Sequence, residues 1–348
     1  MSRGLGDVYK RQHKHFGVKS LQAEDEIAGI GSAIGASFAG DLAITTTSGP
    51  GLALKGEALG LAMMLELPLV VVDVQRGGPS TGLPTKTEQS DLLQAMYGRN
   101  GESPVIVIAA STPANCFNFA YEASKLTLEH MTPVILLTDG YIANGSAPWK
   151  IRSVAEMPDI KPRIIREAKN SWHPYERDED TLARDWAVPG TYGLEHRVGG
   201  LEKDKLSGQV SYVPENHEHM TQVRAEKIER VQNYIPELET VFDDEGDLLV
   251  IGWGGTYGTL YAAVKELKQS GVSGVGLAHF NYINPLPKNT EAVLSRFKKI
   301  VVCELNNGQF VSILRMKFNG KTFHQFNKVQ GLPFGNSELI KKFKELLA

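Results

Sequence analysis

Four short apolar runs mark the first part of the chain: Leu42–Thr47, Leu67–Val74, Pro104–Ala110 and Pro133–Thr138. They show little alternation of polar with apolar positions, which predicts strands buried on both faces. Helix-length stretches lie between them, among them Gly56–Glu66 and Thr112–His130. The second opens with Thr112 as a predicted N-cap and Pro113 at the first helical position. From about Val18 to Gly145 this alternation predicts a parallel sheet with helices on both faces, the α/β class. Val18–Leu21 reads as one more strand-like run, directly before a helix of small residues.

The pattern dissolves between about Ala147 and Met220. That zone is rich in Pro, Gly, His and charge, and it holds Trp149, Trp172 and Trp186. Aromatic residues of that size argue for an ordered but irregular segment. Periodicity returns near Thr221 with Val223, Ile228 and Val231 among charges. Asp247–Gly252, Gly274–His279 and Lys299–Glu304 then read as strands, with a helix over Tyr257–Gln269. The expectation is a second, smaller α/β unit, in line with about two domains for 348 residues.

Composition removes several classes. The net charge of −3 excludes a broadly basic, phosphate-hugging surface, so nucleic acid is not the expected main partner. Cys116 and Cys303 are too few for a disulfide framework or for the about four thiolates of an iron–sulfur cluster. A reducing cytoplasm is the expected location. No apolar run reaches the roughly 18–20 residues of a membrane span, and residues 1–12 lack the apolar core of a secretory signal.

Some motifs weaken on inspection. Gly29-x-Gly31-x-x-x-Gly35 and Gly252-x-Gly254-x-x-x-Gly258 each have one residue too many for a dinucleotide fingerprint, and close helix packing is the expected role. His217-Glu-His219 lacks the spacing of helical metal ligands and reads as a polar loop. No Gly-x-Ser-x-Gly elbow and no phosphate-binding P-loop occurs. Three segments stand out instead. Gln22-Ala-Glu24-Asp25-Glu26 places carboxylates at a helix entrance, where open α/β sheets bind ligands. Thr45-Thr-Thr-Ser48-Gly49-Pro-Gly51 is a loop of hydroxyls and backbone N–H groups. The run from Asp73 to Gln89, DVQRGGPSTGLPTKTEQ, follows the most apolar strand and carries Arg76, whose planar fork suits a carboxylate.

Together QAEDE, TTTSGPG and DVQRGGPSTGLPTKTEQ resemble the alpha subunit of the 2-oxoacid:ferredoxin oxidoreductases, near the 2-oxoglutarate members. The likeness continues through GLEHRVGGLEKD, VSYVPENHEHM, GWGGTYGT, YINPLPKN and ELNNGQ. It implies an oxidoreductase that decarboxylates a 2-oxoacid to an acyl-coenzyme A and reduces ferredoxin with thiamine diphosphate. It implies a pyrimidine-binding domain over residues 15–150, an irregular connecting segment over 151–230, and a transketolase C-terminal-like domain over 231–348. Glu24 matches the catalytic glutamate that hydrogen-bonds the aminopyrimidine ring of the cofactor. Arg76 and Thr81 match positions that contact the 2-oxoacid, and Ser48 and Gly49 are expected near the cofactor.

The magnesium motif of thiamine enzymes, Gly-Asp-Gly followed by a distant Asn, does not occur; Asp139-Gly140 lacks the leading glycine. The resemblance therefore implies half a site. A beta subunit would supply the diphosphate side, its Mg2+ and a [4Fe-4S] cluster, with coenzyme A as co-substrate. Relatives carry a Tyr-Pro-Ile-Thr-Pro-Ser motif upstream that has no counterpart here, so residues 1–14 are expected to be non-native or truncated sequence. The rival readings are a non-catalytic remnant or assembly chain, a branched-chain 2-oxoacid specificity, and a transketolase-like carboligase.

Overall fold

The computed structural model describes residues 16–168 and 171–348. The expectation for residues 1–14 lies outside them. The strands in chain order are β1 (Ala43–Thr47), β2 (Leu69–Gln75), β3 (Ile106–Ala109), β4 (Pro133–Asp139), β5 (Ile164–Ile165), β6 (Trp186–Ala187), β7 (Thr240–Phe242), β8 (Gly246–Trp253), β9 (Val275–Phe280), β10 (Tyr282–Asn284), β11 (Phe297–Glu304) and β12 (His324–Asn327). Among the described residues they form two five-stranded sheets, ordered β1-β2-β4-β3-β10 and β12-β11-β8-β9-β7, and a small β5-β6 pair.

β1, β2, β4 and β3 are mutually parallel. β4 is buried along its whole length, the consequence of an apolar run covered on both faces. The two sheets are not independent. β10 comes from the carboxyl-terminal part of the chain and closes the edge of the first sheet by pairing antiparallel with β3. One apolar core also runs through both, joining Val71, Ile135 and Leu137 to Ile251, Trp253 and Phe310.

The structure revises five local expectations. Val18–Leu21 forms no strand. Helix Glu26–Phe38 is entered instead through Asp25, whose carboxylate accepts the Ala28 N–H at 2.7 Å. The helix expected from Thr112 begins at Cys116, because Thr112 and Asn115 first close a turn with their side chains. His217 and His219 lie on helix Pro214–Arg230, not in a loop, and the His217 ring meets Glu202 at 2.7 Å. That helix also ends the zone read as irregular. Of the helix-borne glycines, Gly29 packs against Lys55 and Thr45, whereas Gly31, Gly35 and Gly258 face open space. Close packing therefore explains only part of those clusters.

The connecting segment is pinned by charge. Glu66 is 1% exposed and binds Arg177 at 2.8 Å and Lys227 at 2.6 Å. Burial would raise its carboxyl, but Arg177 and then Lys227 hold it well below the usual carboxylate range. A buried acid of this kind persists only because cations accompany it.

Candidate functional site

The acid segment and the hydroxyl loop are stitched together. Lys55, 1% exposed, donates to the Glu26 carbonyl at 2.6 Å. Burial lowers its pKa, opposed by the charges of Glu26 and Asp25. A Cβ at Gly51 would lie 2.0 Å from Thr47 Oγ1 and 2.7 Å from Glu26 Cγ, so only glycine permits this approach. Glu24 itself is exposed, at the mouth of the helix, and among the described residues its carboxylate has no hydrogen-bond or ion-pair partner. Beside it on that helix Ile27 is 55% exposed, and Ile44 of the edge strand β1 is exposed as well. Ser48, half-buried, precedes the short helix Gly49–Leu54 without capping it through its side chain.

The loop after β2 is closed by its own backbone: Leu83 N–H donates to Gly77 at 2.8 Å, and Gly77 N–H to Lys86 at 3.0 Å. Arg76 opens from its start into a cavity of about 490 Å3. Gly49, Glu88, Ser90, Asp91 and Gln94 form one side of that cavity, and Asn306, Asn307 and Gln309 the other. The second group belongs to the turn after β11, and its chemistry is mechanical. Asn306 donates to the Gln89 carbonyl at 2.8 Å, and Gln309 donates to Ser90 and accepts from Leu93. Glu304 accepts the N–H groups of Phe310 and Val311 and so caps the helix Gln309–Lys317.

The carboxyl ends of the two sheets meet at Asp139. Its carboxylate accepts from Tyr141, Ile142, Thr87 and Gly255. Burial raises its pKa against those donors. All of its acceptor capacity serves the fold, so the sequence-level near-match of Asp139-Gly140 to a metal motif is a capping site.

Of the five residues singled out in the sequence, Arg76 and Gly49 share the cavity. Ser48 adjoins Gly49, and Glu24 stands just before the helix capped by Asp25. Thr81 lies at the exposed tip of the 77–86 loop, where the cavity wall takes Ser80 instead. Sequence reasoning missed Asp91, Asn306 and Gln309. The ELNNGQ string was a signal, but nothing in one dimension shows that it braces a loop some 216 residues away.

The residues fit one half of thiamine diphosphate. An exposed carboxylate at Glu24, with exposed apolar side chains at Ile27 and Ile44, supplies the residue types that suit an aminopyrimidine ring, which is flat, apolar on its faces and polar at its nitrogens. Among the described residues no group of three or more His, Cys, Asp or Glu could hold a metal ion. Nor is any helix among them long and apolar enough to cross a membrane.

Residues 5–212 match the family described as pyruvate flavodoxin/ferredoxin oxidoreductase, thiamine diphosphate-binding. The chain is 51% identical over 339 residues to the 2-oxoglutarate oxidoreductase subunit KorA of Mycobacterium tuberculosis, covering 97% of this chain and 51% of that protein. It is 32% identical to the 2-oxoglutarate synthase subunit KorA of Methanothermobacter marburgensis, covering 92% of this chain and 85% of that one. Against the solved 2-oxoglutarate:ferredoxin oxidoreductase from Magnetococcus marinus with 2-oxoglutarate, coenzyme A and succinyl-CoA bound, the TM-score is 0.89 at 34% identity, over 99% of this chain and 61% of the other. An inactive split-gene transketolase tetramer shares the fold alone, with a TM-score of 0.54 at 10% identity, over 100% of this chain and 89% of the other. The chain thus spans about half the length of the Mycobacterium relative.

Proposed function

The chain belongs to the 2-oxoacid:ferredoxin oxidoreductase family, and on that premise we propose that it is the alpha-type chain of a 2-oxoglutarate:ferredoxin oxidoreductase. The reaction is the 2-oxoacid anion plus coenzyme A plus two oxidised ferredoxins, giving acyl-coenzyme A, carbon dioxide, two reduced ferredoxins and a proton. The observation that carries this reading is the Arg76-lined cavity walled by Gly49, with Glu26 packed against Gly51 of the same loop and Glu24 exposed at the entrance of the helix that Glu26 begins.

Thiamine diphosphate, when bound, supplies the nucleophilic carbon and the electron sink for decarboxylation. Glu24 hydrogen-bonds the aminopyrimidine ring and holds its tautomer. Ser48 and Gly49 line the cofactor's path. Arg76 takes the substrate carboxylate through two parallel N–H donors, with Thr81 a further substrate contact offered from the exposed loop tip, outside the cavity wall. Residues 15–150 act as the pyrimidine-binding domain and 231–348 as the transketolase C-terminal-like domain. A beta subunit supplies the diphosphate side, Mg2+ and the [4Fe-4S] cluster, and the complex works in the cytoplasm. The names of the similar proteins favour 2-oxoglutarate over a branched 2-oxoacid.

Co-expression with a Gly-Asp-Gly-containing, cysteine-bearing partner tests this. Dye reduction that needs 2-oxoglutarate and coenzyme A is expected from the pair and not from the chain alone. A fully assembled but inert pair would overturn the catalytic reading in favour of an assembly role. Tight magnesium-dependent binding of thiamine diphosphate by the isolated chain would overturn the shared site.

A further inference from the structure

Arg76 accounts for one end of a 2-oxoacid, the carboxylate beside the oxo group. Its Nε is buried without a hydrogen-bond partner among the described residues. The far end of the substrate has to be read by the rest of the cavity wall, and most polar side chains there are already committed. Asn306, 3% exposed, donates to the Gln89 carbonyl and accepts the N–H groups of Gly308 at 2.8 Å and Gln309 at 2.9 Å. Gln309 donates to the Ser90 carbonyl and accepts the Leu93 N–H. Gln94 donates to the Gly49 carbonyl at 3.3 Å. Glu88 is buried and accepts the Gly331 N–H at 3.1 Å.

Asn307 is the exception on the wall formed by the turn after β11. It is exposed, it lines the cavity, and among the described residues its side-chain amide has no hydrogen-bond partner. The backbone that carries it is held on both sides. Asn306 ties the turn to the loop after β2. Gly308 follows in the left-handed region at a φ of 87°, where glycine is favoured, and leads into the helix Gln309–Lys317. The amide is thus free while its main chain is fixed, so a ligand that meets it pays little for ordering the turn.

We propose that Asn307 is a specificity-determining residue whose amide N–H groups donate to the second carboxylate of a 2-oxo dicarboxylate of the 2-oxoglutarate kind. The inference rests on the reading that Arg76 takes the first carboxylate. Arg76 is the cation among the residues that line the cavity, and Glu88 and Asp91 are its acids. Both acids are buried in the wall, so the groups open to a ligand's far end are neutral donors more than charges. A neutral amide selects by pairing. A substrate ending in a carboxylate satisfies its N–H groups. An apolar or branched 2-oxoacid strips water from the amide and leaves it unpaired, which is how a polar site rejects an analogue lacking the matching group.

The test uses a matched pair of ligands on the assembled complex: 2-oxoglutarate, and 2-oxopentanoate, which has a methyl group in place of the second carboxylate. The readouts are KM for 2-oxoglutarate and the inhibition constant of 2-oxopentanoate as its competitor. Asn307→Leu should raise KM about tenfold, the scale for one hydrogen bond to a charged group, and leave the inhibition constant within about twofold of wild type. Asn307→Asp, which sets a carboxylate against a carboxylate, should raise KM at least as much. Because Asn307 holds no bond in the fold, both variants should unfold at the wild-type midpoint. If N307L weakens both ligands equally, or N307D leaves KM unchanged, Asn307 does not read the second carboxylate. Arg76→Ala separates this from the underlying reading. If R76A weakens both ligands while N307L weakens neither, the inference falls and the Arg76 reading stands. If R76A weakens neither ligand, the Arg76 reading falls and the inference with it.

Discussion

Gln89 Nε2 donates to the Trp253 carbonyl at 2.7 Å, joining the loop after β2 to the end of β8 in the other sheet. The same amide accepts the Leu305 N–H at 2.9 Å. One buried side chain therefore satisfies two backbone groups of the second sheet and sets the distance between the halves of the cavity. Gln89→Leu keeps the volume, leaves the Leu305 N–H unpaired and leaves the Trp253 carbonyl to the Thr256 hydroxyl alone. We expect a loss of about 1–3 kcal/mol in denaturant unfolding, from one unsatisfied buried group. A loss below about 0.5 kcal/mol would show that other partners take over.

Arg76→Ala in the assembled complex should lower kcat/KM for the 2-oxoacid by about 2–4 kcal/mol, the scale for a partly buried charge-assisted contact. Wild-type kcat/KM would remove Arg76 from the pocket.

The Glu66 cluster makes stability depend on acid. Its folded carboxyl titrates well below the ordinary 4.5, so its contribution is fully present above that value and is lost as pH falls through the folded value. Glu66→Gln leaves Arg177 and Lys227 buried without their anion and should cost about 3–5 kcal/mol at pH 7. The gap between wild type and E66Q should narrow steadily below about pH 4. A gap that stays constant from pH 7 to pH 3 would mean Glu66 is not ionised in the folded chain.

The strands were legible wherever burial on both faces leaves an unbroken apolar run, as in β2, β4 and β8. β10 was not, because three residues against the edge of another sheet leave no periodic trace. Val18–Leu21 misled because apolar residues at an exposed helix approach look like a strand. In the site, Arg76 was legible as the one guanidinium in a long polar loop. Asp91 was not: it reaches the cavity by close approach to Gly49, which only the folded chain creates. Asn306 and Gln309 act through amide hydrogen bonds across more than 200 residues of sequence, a relationship that no local spacing encodes.

The central claim is that this chain lends Glu24 to a cofactor anchored by a second chain. Its most direct test is the rate of dye reduction by the assembled complex carrying Glu24→Gln, with saturating 2-oxoglutarate, coenzyme A and thiamine diphosphate. The account predicts a fall of about a hundredfold or more, the range expected for removing a proton-handling group. Turnover at the wild-type rate would contradict it.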